Sequence, residues 1–141
     1  MMKKFICLAL TAILTCCITV SVFASFEDVA ITDKVDARYA YTNKITSIVS
    51  ISSKNATCKS TVQGSSKTVT RIVVKQTLQY KSGTKWLDVT SWVKTVNTFS
   101  LRFNNTKYNI GSGTYRVKTV AKVYKGSAYE TITIYSKTAS C

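Results

Sequence analysis

From Lys44 onward the chain alternates apolar and polar side chains with a period of two, and clusters of turn residues interrupt it. Within Thr114 to Lys125 one set of alternate positions holds Tyr115, Val117, Thr119, Ala121 and Val123. The interleaved set holds Arg116, Lys118, Val120, Lys122 and Tyr124. Successive side chains of a strand point to opposite faces, so this spacing predicts one face in a core and one in water. Six more runs share the period: Lys44 to Ser52, Ala56 to Gln63, Thr68 to Lys81, Lys85 to Lys94, Thr98 to Phe103 and Tyr129 to Ser136. They are rich in Val, Ile, Thr and Tyr, which suit a half-buried pleated surface. Ile72, Val74, Leu78 and Tyr80 form one predicted inner face, with Arg71, Lys75 and Gln79 opposite. Phe99, Leu101 and Phe103 alternate with Ser100 and Arg102, and Ala56, Cys58 and Val62 with Thr57, Lys59 and Thr61. All five glycines fall between runs, where turns accept positive φ. "YKSGTKW" reads as a hairpin loop and "YNIGSGTY" as a longer connection. Seven short strands with no helical periodicity predict an all-β fold, an antiparallel β-sandwich.

The first 24 residues stand outside that pattern. Lys3 and Lys4 precede an apolar run from Phe5 to Val20, and "VFA" (Val22 to Ala24) supplies small residues at a cleavage site. These parts read as a secretory signal peptide cut after Ala24. An uncleaved anchor fits less well, because the run is slightly short and a polar, acidic stretch follows it. A lipid anchor on Cys16 or Cys17 would leave too short an apolar segment. The expected organisation is therefore a signal over residues 1–24, an acidic, partly extended lead-in over 25–43, and a basic β-sandwich domain over 44–141. Export places Cys58 and Cys141, the cysteines left after cleavage, in an oxidising compartment. They are a disulfide candidate, with two free thiols as the alternative.

Charge sharpens the picture. The chain carries 20 Lys or Arg against 6 Asp or Glu, a net +14. The acids Glu27, Asp28, Asp33 and Asp36 lie in the lead-in, so the domain that follows holds only Asp88 and Glu130. Such a domain gathers anions around itself, most strongly at low salt. If the third and sixth runs are neighbours, Arg71, Lys75, Arg116, Lys118 and Lys122 line one outer face. That face is a candidate site for phosphate-rich wall polymers, nucleic acid bound incidentally or anionic lipid headgroups, and its plain alternative is a hydrated lysine surface. Lysine also guards strand edges against aggregation in a chain with no proline. Trp86, Thr90 and Trp92 share parity, so the two tryptophans form a candidate sugar-stacking pair, with burial in the core as the alternative. Tyr39 and Tyr41 are expected to dock the lead-in.

Catalytic chemistry is thinly represented. The chain has no histidine, which removes the commonest general base, the usual triads and most zinc or copper sites. Asp88 and Glu130 are the remaining carboxylates for a glycosidase pair, and they read better as charge partners of nearby lysines. "SGTK" and "SWVK" match S-x-x-K, but in strands the serine and lysine point to opposite faces, so that chemistry is rejected. Asn55 and Asn104 fit the N-glycosylation sequon and read as turn asparagines.

The signal, the period-two runs, "LQYKSGTKWLDVTSW", "SGTYRVKTVAKVY" and "ETITIYS" together resemble small secreted immunoglobulin-like or fibronectin-III-like proteins of Gram-positive bacteria. The resemblance covers Arg38 to Cys141. It implies a sandwich, and it gives Tyr115 the place of a tyrosine-corner residue whose hydroxyl bonds back to the backbone. Val117 stands where the antibody pattern has its second cysteine. The expected function is a secreted, non-enzymatic binding or surface-interaction module held electrostatically at anionic cell-envelope polymers. The alternative is a carbohydrate-binding module using exposed aromatics. No cofactor or metal is expected, no specific nucleic acid, and no membrane contact except through an uncleaved signal.

Overall fold

The alternation becomes two antiparallel sheets packed face to face. The structure, a computed structural model, describes Thr32–Asp33 and residues 39–141. The signal segment, Cys16, Cys17, Glu27, Asp28 and Asp36 lie outside the described residues. The strands are β1 (Thr32–Asp33), β2 (Thr42–Ser52), β3 (Asn55–Gly64), β4 (Arg71–Ser82), β5 (Lys85–Val96), β6 (Ser100–Lys107), β7 (Thr114–Lys125), β8 (Ala128–Tyr135) and β9 (Ala139–Ser140). One sheet has the order β1-β2-β3-β6; the other runs β5-β4-β7-β8, with β9 also paired to β7. Among the described residues the fold is thus an all-β sandwich of seven long strands and two very short ones.

Local chemistry sets the hairpins. Gly83 and Gly126, at φ +59° and +61°, begin the two-residue turns that return β4 into β5 and β7 into β8. Between β2 and β3 the turn residues Ser53 and Lys54 take φ 48° and 62°. β6 runs on to Lys107 because its ladder with β3 continues as far as Ala56↔Lys107. Asn104 is consequently an exposed strand residue, which corrects its reading as a turn asparagine.

The inner faces meet in a core with two apolar lobes. Ile45, Val62, Ile72, Val74, Leu101, Ala121, Val123 and Ile132 belong to one. Ala56, Cys58, Leu78, Ile110, Tyr115 and Val117 form the other. A polar belt runs between them. Asn105 Nδ2 donates to Gln76 Oε1 at 2.9 Å, and Gln76 Nε2 donates to Ser60 Oγ at 2.8 Å. Ser60 and Thr119 hydroxyls lie 2.8 Å apart, and Thr119 and Ser47 2.9 Å. Ser47 Oγ then donates to the Val117 carbonyl at 3.4 Å. Each hydroxyl has one proton, so the two ends fix the direction: Gln76 to Ser60 to Thr119 to Ser47 to Val117. Five strands are stitched by this one chain, and it satisfies polar groups that would each cost about 1–3 kcal/mol if stranded.

Two further ties close the sandwich. Glu130 on β8 accepts from Ala40 N at 3.0 Å, Tyr41 N at 3.1 Å and Thr42 Oγ1 at 2.7 Å, pinning the entry to β2. The Tyr115 hydroxyl donates to the Gly111 carbonyl at 2.8 Å, a backbone-directed bond of the kind the resemblance implies for it.

Candidate functional site

Antiparallel pairing of β4 with β7 assembles the outer face of the five-stranded sheet. Its register sets Arg71 opposite Tyr124, Val73 opposite Lys122, Lys75 opposite Val120, Thr77 opposite Lys118, and Gln79 opposite Arg116. The third and sixth runs are therefore neighbours, and all five cations named from the sequence share one face. No cation faces another across the ladder. Like charges directly opposite destabilise a sheet, and the stagger avoids that while keeping the field dense. Arg71, Lys75 and Lys122 are exposed; Arg116 and Lys118 are half-buried.

Aromatic rings hold the arginines at the two ends of this array. The Arg116 guanidinium carbon lies 4.1 Å from the Trp86 ring centroid and 4.2 Å from that of Tyr135. Its Nε donates to Gln79 Oε1 at 2.8 Å, and Gln79 Nε2 donates to Asp88 Oδ1 at 2.8 Å. Gln79 has the outward parity predicted for it, yet it is only 6% exposed, held between Arg116 and Asp88. At the opposite end the Arg71 guanidinium carbon lies 3.9 Å from the Tyr124 centroid. Tyr124 packs on Tyr129 at 5.1 Å, and Lys122 Nζ lies 5.1 Å from the Tyr129 ring. Each such cation–ring contact contributes about 0.5–1 kcal/mol at an exposed site and more where water is excluded.

The tryptophan pair needs correction. Leu78 pairs with Thr90 but Gln79 pairs with Asp88, so Val89 is an extra residue and β5 carries a bulge. Parity reverses across it. Trp92, opposite Gln76, packs against both core lobes, whereas Trp86, opposite Lys81, reaches the outer face. Thr90 goes inward with Trp92. The two indoles therefore share no surface. Tyr124, Tyr129 and Tyr135 complete the face instead, and the sequence reading did not single them out as site residues. Their signal was present: Tyr129 and Tyr135 occupy the outward parity of β8, opposite to Ile132 and Ile134, and are 53% and 43% exposed.

The two domain carboxylates do not meet. Asp88 is on β5 at one edge and Glu130 on β8 at the other, and both are occupied as hydrogen-bond acceptors. Seven residues along the strands and three strand spacings separate them, roughly 25 Å at ~3.3 Å per residue and ~4.8 Å per strand. A glycosidase pair needs about 5–10 Å. The reading of these acids as lysine partners is corrected too, since Asp88 binds Gln79 and Glu130 binds the backbone of the lead-in. The candidate bridge between Cys58 and Cys141 is absent: both are free, Cys58 enclosed in the core and Cys141 exposed at the end of the chain. Burial pushes the Cys58 thiol up to about 12. Burial, with smaller contributions from Tyr80 and Cys141, also raises the Tyr115 hydroxyl.

Comparison with family models, with curated proteins and with solved structures gave no match to this chain.

Proposed function

We propose that this protein is an exported, non-enzymatic binding module that docks on anionic polymers of the cell envelope through the outer face of its five-stranded sheet. The observation that carries the reading is the convergence of Arg71, Lys75, Arg116, Lys118 and Lys122 on that face, with Asp88 the single carboxylate beside them among the described residues and already engaged by Gln79. A densely cationic sheet face suits an extended polyanion better than a small ligand, because many weak ionic contacts add along its length. The secretory signal read in the first 24 residues would deliver the domain to such polymers. Binding to purified cell walls across a salt series tests this. Affinity is expected to fall steeply between low and physiological ionic strength, as exposed charges become screened. Retention that ignores salt removes the electrostatic basis.

A glycan reading keeps some support from the exposed Tyr129 and Tyr135 and from Trp86 on the same face. It predicts sugar-dependent quenching of Trp86 emission with neutral oligosaccharides. Unchanged emission across a neutral glycan panel removes it.

A further inference from the structure

The cations of this face are of two kinds. Lys75, Lys118 and Lys122 lie along the middle, and an arginine seated on aromatic rings stands at each end. Lysine is a flexible, strongly hydrated point charge; arginine offers a rigid planar fork that matches phosphate oxygens two at a time. In Arg116 the fork is held on three sides, by Trp86, Tyr135 and the bond from Nε to Gln79. Its two terminal nitrogens, and every guanidinium N–H of Arg71, take no acceptor among the described residues. These are oriented donors without acceptors, within a field that attracts anions.

The stations are set apart by the register. Arg71 and Gln79, the partner of Arg116, are eight residues apart on β4, or roughly 26 Å at ~3.3 Å per residue. Lys75, Lys118 and Lys122 fill the interval. Nucleobase readers on sheets leave aromatic faces open for bases to stack. Here the rings of Trp86, Tyr124, Tyr129 and Tyr135 already carry Arg116, Arg71 and Lys122. The surface is thus built to take phosphates and offers little to bases.

We infer that Arg116 and Arg71 are paired phosphate stations, and that the face grips a flexible, base-free linear phosphate polymer long enough to touch both. This rests on the reading of the face as a polyanion-docking surface. Two linked stations turn the second contact into an intramolecular one, so affinity rises stepwise once the ligand spans the gap.

The test is calorimetric titration of the protein as recovered after export, at low salt, with inorganic polyphosphate of graded chain length. Trp86 emission serves as a second readout at the Arg116 station. Affinity per chain is expected to rise about ten-fold or more as the chain passes the length that reaches from Arg116 to Arg71. Arg116→Lys and Arg71→Lys keep the charge but lose the stacked fork, so each is expected to abolish the step while short chains bind nearly as before. Arg71 is exposed, so its variant tests the idea even if Arg116→Lys perturbs the fold. A smooth rise with length that both lysine variants share overturns the paired stations and leaves general electrostatic docking standing. No binding of polyphosphate of any length at low salt overturns the docking face itself. Tighter, base-dependent binding of single-stranded DNA with the same number of phosphates overturns the base-free assignment.

Discussion

Replacing Thr119 by valine takes one hydroxyl out of the middle of the core at almost constant volume. That hydroxyl accepts from Ser60 at 2.8 Å and donates to Ser47 at 2.9 Å, and Thr119 is fully buried. No cavity forms, so the cost is electrostatic. Ser60 keeps the bond it receives from Gln76 but loses the acceptor for its own proton. Ser47 keeps its bond to the Val117 carbonyl and loses its donor. Two hydrogen bonds at about 1 kcal/mol each, with one stranded buried donor, give a loss of about 2–4 kcal/mol. In a domain of about 100 residues that lowers Tm by on the order of 10–20 °C.

Two controls separate the belt from simple packing. Thr119→Ser keeps the hydroxyl and removes one methyl, so it is expected to cost about 1 kcal/mol. Ser60→Ala breaks the same chain one link earlier. The double variant Ser60→Ala/Thr119→Val is then expected to cost less than the sum of the singles by about 1 kcal/mol or more, because one bond cannot be lost twice. Urea unfolding with an unchanged slope is the assay. A Thr119→Val cost below about 0.5 kcal/mol, or strict additivity in the pair, would refute the continuous chain of donors.

Gly113 has φ +146°, and a Cβ there would overlap Cε2 of Tyr80, so Gly113→Ala is expected to lose about 2–4 kcal/mol in thermal melting. A melting point equal to wild type would mean that the loop before Tyr115 has another conformation open to it. Thiol titration in native buffer should label Cys141 at once and Cys58 only after unfolding; no thiol in the denatured chain would mean that the two are joined. Because the folded Cys58 thiol titrates near 12 against an ordinary 9.0, its contribution to stability is complete below about pH 9 and is lost as pH rises toward about 12. Urea midpoints over that range should fall more steeply in the wild type than in Cys58→Ala. Deleting Val89 removes the bulge but leaves Thr90 opposite Leu78 and Asp88 opposite Gln79 in a regular ladder, so Trp86 stays on the outer face. Its emission and the length-dependent step of the Arg116 station should persist; a shifted emission would show that the bulge itself aims the indole.

Much of the sandwich was legible because its strands have one dry face and one wet face. Val117, Ala121 and Val123 are buried where period two places them, and Lys122 is exposed. β5 was misread for a physical reason. "WLDVTSWV" offers two unbroken alternations, Trp86-Asp88-Thr90-Trp92 and Leu87-Val89-Ser91-Val93. The real strand follows neither along its whole length, since the inserted Val89 switches face midway. Bulges are settled by what the partner strand can accept, which one strand's sequence does not display. The polar belt was half legible. Ser47, Ser60, Gln76 and Thr119 occupy inward parity, but only the packing of one sheet on the other reveals that each has a partner. Pairing of the cysteines was a question of distance between two ends of a fold, and parity does not address distance. β1 and β9, of two residues each, are too short for any period to register.

The cationic face had two readings in the sequence, a hydrated surface or a site, and its side-chain arrangement favours the second. Solubility and protection of edges need only mobile charges, and mobile lysines supply them at little conformational cost. Restraining a long side chain costs up to about 2 kcal/mol of rotamer entropy. Arg116 is nonetheless held by two rings and by Gln79, whose own amide is fixed by Asp88, the one acid on this face among the described residues. That acid orients a glutamine, and among the described residues the Arg116 guanidinium has no carboxylate partner and its outer nitrogens no acceptor. Arg71 is likewise set on Tyr124, itself braced by Tyr129. A surface that merely repels its neighbours has no use for aimed donors at both ends of a row. Aimed donors reward a ligand whose acceptors recur at fixed distances, and that requirement separates a phosphate polymer from a diffuse cloud of counterions.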